Sequence, residues 1–100
     1  MLIIKYIYII FAIKKRMKSL INDKNTFLEF TANELMVSLT AINFETEFRS
    51  ISSWSSLNAL IYISSINEET GVFISSSDLV QLTSIQDIYN LILSRFNGAI

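Results

Sequence analysis

The chain has 100 residues and a formal net charge of −1, with no Cys and no His. Those absences exclude a disulfide framework, a thiolate metal site and any Ser-His-Asp or Cys-His nucleophile, which argues against an enzyme while leaving carboxylate-only chemistry open. Its 51% apolar content, two glycines and lack of proline fit one small folded helical domain rather than a disordered chain.

The N-terminal segment stands apart. Lys5, Lys14, Lys15, Arg16 and Lys18 all precede the first acid, whereas from Met17 onward four bases face nine acids, a net −5. An acidic body argues against nucleic acid, whose phosphates need a basic face, and suits basic protein partners. Residues 2–13 read LIIKYIYIIFAI and are followed by KKR. The run is shorter than the ~20 apolar residues of a membrane-crossing helix, and Lys5 interrupts it. A secretory signal would carry its positive charge first and a small-residue cleavage site after. Three readings stay open for residues 1–16: a translation start that belongs at Met17, a membrane-surface anchor, or an extra element packed on the domain. Residues 17–100 form the helical domain.

Thr26 with Glu29 three residues later fits a capping box. Phe27, Phe30, Leu35, Met36, Val37 and Leu39 then predict a helix to about Thr40. Residues 41–55 lack periodicity and read as a long loop whose Phe44 and Phe48 tuck into the core. The Ser52–Ser56 cluster supplies N-cap residues for a second helix carrying Leu57, Leu60, Ile61, Ile63 and Ile66. Glu68 and Glu69 lead to Thr70–Gly71, where Gly71 can take the left-handed closing position. Val72, Phe73 and Ile74 form a short apolar connector. Ser75 with Asp78 predicts a cap for a short third helix over Leu79, Val80 and Leu82. Thr83 with Gln86 is a further capping-box candidate, and Ile85, Ile88, Tyr89, Ile92 and Phe96 define the last helix, which Gly98 would stop. The expected fold is all-α: a small four-helix antiparallel bundle with a long loop between helices 1 and 2 and a short third helix.

Four stretches together carry a resemblance. Phe48-Arg-Ser-Ile-Ser-Ser-Trp-Ser-Ser-Leu57 opens the second helix, Asn67-Glu-Glu-Thr-Gly-Val-Phe-Ile74 closes it, Asp78-Leu79 marks the short third helix, and Thr83-Ser-Ile-Gln-Asp-Ile-Tyr-Asn-Leu-Ile92 opens the last. In this order and spacing they resemble the acyl carrier protein family over about residues 20–96. The Trp-Ser-Ser-Leu stretch is similar to a variant found in some stand-alone bacterial carriers.

The resemblance implies a cytoplasmic, monomeric, non-catalytic carrier. Ser56 matches the serine that receives 4′-phosphopantetheine from coenzyme A through a phosphopantetheinyl transferase, and Ser55 stands where the family usually has Asp. Acyl thioesters on that arm would serve fatty acid or related acyl-chain biosynthesis, with a ketosynthase as the kind of partner enzyme. A peptidyl or aminoacyl carrier served by an adenylating enzyme is the alternative, as is a carrier-fold interaction module that is never modified. Leu57, Leu60, Ile61, Glu68 and Glu69 are the candidate partner-binding residues.

Each of these residues has a plain structural reading too. A serine at a helix start can simply be a cap. Leu57, Leu60 and Ile61 can be core, as Ile63 and Ile66 are expected to be, and Glu68 and Glu69 can be a solvated helix end. Trp54 fits a loop anchor better than a ligand platform.

Overall fold

The computed structural model describes residues 23–98. The segment 1–16, with the start, anchor and packing readings attached to it, lies outside the described residues. Within them the structure is helical: α1 (Lys24–Glu34), α2 (Ser56–Thr70), α3 (Ser76–Gln81) and α4 (Ile85–Gly98), with 3₁₀ turns at Leu39–Ala41 and Phe48–Ser50. No described residue belongs to a strand beyond one isolated antiparallel bridge, Glu47 to Ser84.

α1 starts and ends earlier than its apolar pattern predicts. Asp23 is the N-cap, and its carboxylate accepts from the Asn25 N–H and the Thr26 hydroxyl, each at 3.0 Å. The Thr26 hydroxyl is spent on that carboxylate, so the expected Thr26–Glu29 capping box does not form. The helix closes at Leu35 rather than near Thr40 because Met36 turns left-handed at φ 56°. The Met36 N–H then donates to Asn33 O at 3.3 Å and the Val37 N–H to Ala32 O at 3.0 Å. These are the two bonds of a Schellman ending, here without its usual glycine. Met36 and Leu39, expected on the helix's apolar face, end up exposed.

The core follows from helical spacing. Phe27 and Thr31 of α1 and its C-cap Leu35 recur every four residues, and Tyr62, Ile66 and Thr70 do so on α2. Ile85, Ile88, Tyr89 and Ile92 bury one face of α4. The long loop contributes Ile42, Phe48 and Ile51 to the same cluster, and Phe44 packs against it half-buried. Each fully buried side chain of this size stabilises by about 1.5–3 kcal/mol, which is what holds an otherwise irregular segment in place. The α2–α3 connector alternates: Val72 and Ile74 are buried and Phe73 is exposed.

Gly71 closes α2 at φ 73°, as its sequence position predicts. α3 has the expected capping box, in which Ser75 and Asp78 exchange side-chain bonds with each other's N–H groups. Its Leu79 is buried and its Val80 exposed. α4 begins one residue differently from the Thr83–Gln86 expectation. Asp87 accepts from the N–H groups of Thr83 and Ser84, each at 3.0 Å, and the Asp87 N–H donates to the Ser84 hydroxyl at 3.2 Å. The shorter, charged Asp side chain reaches both amides, so it displaces Gln86 from that role. The end expected at Gly98 falls at the edge of the described residues.

The loop docks by its main chain as well. Thr46 O accepts from the Ile85 N–H at 3.1 Å, Phe44 O from the Gln86 N–H at 2.9 Å, and Thr83 O from the Phe48 N–H at 3.2 Å. The first-turn amides of α4 are thus satisfied by the loop that precedes α2. Arg95 of α4 reaches back to α3, forming a bidentate pair with Asp78 at 2.7 and 3.0 Å and donating to Phe73 O at 2.8 Å.

Candidate functional site

The chain enters α2 through a tightly bonded serine-rich segment. The Ser53 hydroxyl donates to Leu35 O at the end of α1. The Trp54 N–H donates to Ile51 O at 2.9 Å. The Trp54 ring lies 4.9 Å from Phe48 and meets Tyr62 edge-on at 6.5 Å. Trp54 is therefore a loop anchor, as its position suggests. Ser55 is extended (φ −151°, ψ 167°), and its hydroxyl accepts from the Asn58 N–H at 3.1 Å. The Asn58 side chain returns to Ser53 O at 2.6 Å.

The capping duty thus falls on Ser55 and not on Ser56. Ser56 is the first residue of α2 and is exposed. Its hydroxyl makes no hydrogen bond among the described residues, and neither its N–H nor that of Leu57 has an acceptor there. No acid lies in the first turn. Two free amides and the positive end of the helix dipole therefore surround an unspent hydroxyl. This contrasts with α4, whose first amides are closed off by loop carbonyls.

Of the candidate partner-binding residues, Leu57, Leu60 and Ile61 cluster with Ser56 at the start of α2 and are 67%, 57% and 47% exposed. Ile63 and Ile66 are buried, as expected. Glu68 is exposed and Glu69 half-buried. They sit at the far end of α2, twelve and thirteen residues beyond Ser56, about 18–20 Å along the axis. The apolar candidates lie within the first two turns beside the serine, and the two glutamates lie more than three turns further along α2.

A groove of about 540 Å³ lies beside Ser56. The loop and α2 line it with Trp54, Ala59, Leu60 and Ile63, and α3 lines it with Leu79 and Val80. Its polar lining is Ser55, Ser56, Ser76 and Arg49, so Arg49 is its single formal charge and no carboxylate borders it. Arg49 was not evident as a site residue in the sequence, where it is a lone cation in an irregular loop. Its guanidinium donates to Leu82 O at 2.7 Å and to Leu79 O at the C-terminal end of α3, and it lies 4.7 Å over the Phe48 ring. The side chain is held in place from both sides.

No group of three or more potential metal ligands occurs among the described residues, and no helix there is long and apolar enough to cross a membrane. An anion esterified to Ser56 fits these surroundings: free amides, a helix N-terminus, no acid in the first turn, and a largely apolar groove whose single formal charge is Arg49. No family model, curated protein or solved structure matches the chain.

Proposed function

We propose that this protein is a non-catalytic carrier of the acyl carrier type, an antiparallel helical bundle modified on Ser56 by 4′-phosphopantetheine. The observation that carries the reading is the division of labour at the start of α2. Ser55 takes the cap, and the exposed Ser56 hydroxyl is left without a structural task. Modification by a phosphopantetheinyl transferase forms a bond between Ser56 Oγ and the phosphorus next to the pantetheine of coenzyme A. It breaks the pyrophosphate bond, releases the nucleotide half of coenzyme A, and passes the serine proton to solvent or to the transferase. The bound arm supplies a thiol, which a chain without Cys lacks, and on which acyl groups are held as thioesters.

This chain's own residues have three tasks in that reading. The first-turn amides and dipole of α2 favour the phosphodiester. Leu57, Leu60 and Ile61 offer an apolar contact beside the arm for enzymes such as a ketosynthase or, for aminoacyl cargo, an adenylating enzyme. Glu68 and Glu69 add negative charge at the other end of the helix for basic partner surfaces.

The test is mass spectrometry after incubation with coenzyme A and a broad-specificity transferase. The wild type and Ser55→Ala gain the mass of the arm, and Ser56→Ala does not. A gain that follows Ser55 moves the site by one residue. No gain with any transferase leaves the unmodified interaction module as the better account.

A further inference from the structure

The groove beside Ser56 has a chemistry of its own. Trp54, Ala59, Leu60, Ile63 and Leu79 make it largely apolar, and its single formal charge is Arg49, with no carboxylate on its border. Arg49 is not a loose surface cation. Two of its N–H groups are committed to Leu79 O and Leu82 O, and its guanidinium sits over Phe48. A guanidinium has five N–H donors, so three remain to be directed elsewhere. A charge fixed in place against an aromatic ring has little ordering left to lose when an anion arrives, and the exposure of Arg49 leaves it open to one.

From this juxtaposition we infer that Arg49 is the anion-positioning residue of the groove: it holds an oxyanion carried by a group tethered at Ser56. The inference rests on the carrier reading and adds to it a specificity residue. Two oxyanions meet the chemistry, the phosphodiester of the arm and a carboxylate at the free end of a cargo.

The experiment compares the unmodified protein, the protein bearing the bare arm, and the protein bearing arms loaded with hexanoyl or adipoyl groups. These two cargoes have the same carbon count and differ in a terminal carboxylate. Melting temperature is read in the wild type, Arg49→Gln and Arg49→Lys, each against its own unmodified form, so that the loss of the α3 contacts cancels. Arrival of the anion raises the melting temperature by about 4 °C in the wild type and Arg49→Lys, and leaves Arg49→Gln unmoved. A rise with the bare arm assigns the phosphodiester. A rise that needs adipoyl assigns the cargo carboxylate. Equal shifts in wild type and Arg49→Gln overturn the role of Arg49. If Arg49→Gln does not fold, salt decides: a wild-type rise that persists undiminished at about 1 M salt is not an ion pair and overturns it equally. Failure of the mass gain itself is a separate result, which removes the carrier reading and this inference with it.

Discussion

The hydroxyls of Thr31 and Tyr62 lie 2.7 Å apart in the interior, joining α1 to α2 where both residues are fully buried. Neither hydroxyl can turn to water, so each depends on the other. Tyr62→Phe therefore strands the Thr31 hydroxyl and costs about 1–3 kcal/mol in urea unfolding. Thr31→Val strands the phenol at a similar cost. The double variant recovers part of the loss, because an unmade pair costs less than a widowed group. Strictly additive losses would show that the two hydroxyls are not coupled.

Burial pushes the Tyr62 phenol far above its ordinary range, partly offset by the bond to Thr31. Above about pH 10 the unfolded chain gives up this proton while the folded chain keeps it. Stability that is complete below that pH is then lost as pH rises, by about 1.4 kcal/mol per unit for one such group. Chemical denaturation between neutral and alkaline pH should give a shallower decline for Tyr62→Phe than for the wild type. Parallel declines would mean that the phenol ionises in the folded state.

The acid side has a different origin. The bond from Arg95, followed by the Ser75 N–H, holds the Asp78 carboxyl well below the usual range, and the amides of Ser84 and Thr83 lower Asp87. Both folded values lie below the unfolded ones, so the stabilisation is present above about pH 4 and is lost as pH falls further. Asp78→Asn should flatten the acid limb of a stability–pH curve and lower the neutral plateau. An unchanged acid limb would place the acid sensitivity elsewhere.

Met36 offers a gain in stability. A side chain at φ 56° crowds its own backbone, and glycine does not. The residue is exposed, so nothing is lost from the core. Met36→Gly should raise the unfolding free energy by about 1 kcal/mol. A loss instead of a gain would mean that the methionine side chain makes a stabilising contact at the surface.

At the start of α2, Ser55→Ala should cost about 1 kcal/mol by removing the cap. Ser56→Ala should stay within about 0.5 kcal/mol of wild type, as expected for an exposed side chain without partners. Equal costs would mean that the two serines share the cap, and that Ser56 is not free.

How much of this was legible in the sequence depended on which groups carried the information. Ile85, Ile88, Tyr89 and Ile92 announce α4 by spacing, Gly71 announces the end of α2, and Ser75 with Asp78 announces α3. These are side-chain signals. The end of α1 was hidden because a methionine does a glycine's work there, leaving the apolar run to suggest another turn and a half. The docking of the long loop was hidden for another reason: Phe44 O, Thr46 O and Thr83 O are main-chain acceptors that any residue would supply. At the candidate site, the serine cluster marked the place. Which serine caps was set by one residue of register, and the presence of Arg49 in the groove was set by bonds to carbonyls 30 and 33 positions away.

The segment ahead of α2 is held by Phe48 in the core, by Arg49 on the far end of α3, by Ser53 on the end of α1 and by three main-chain bonds near α4. Under the proposed function, an enzyme approaching residue 56 would meet a ledge already set in shape, with the entropic cost of ordering it met during folding. Recognition there is then governed by collision and surface match, and capture does not wait for a flap to settle.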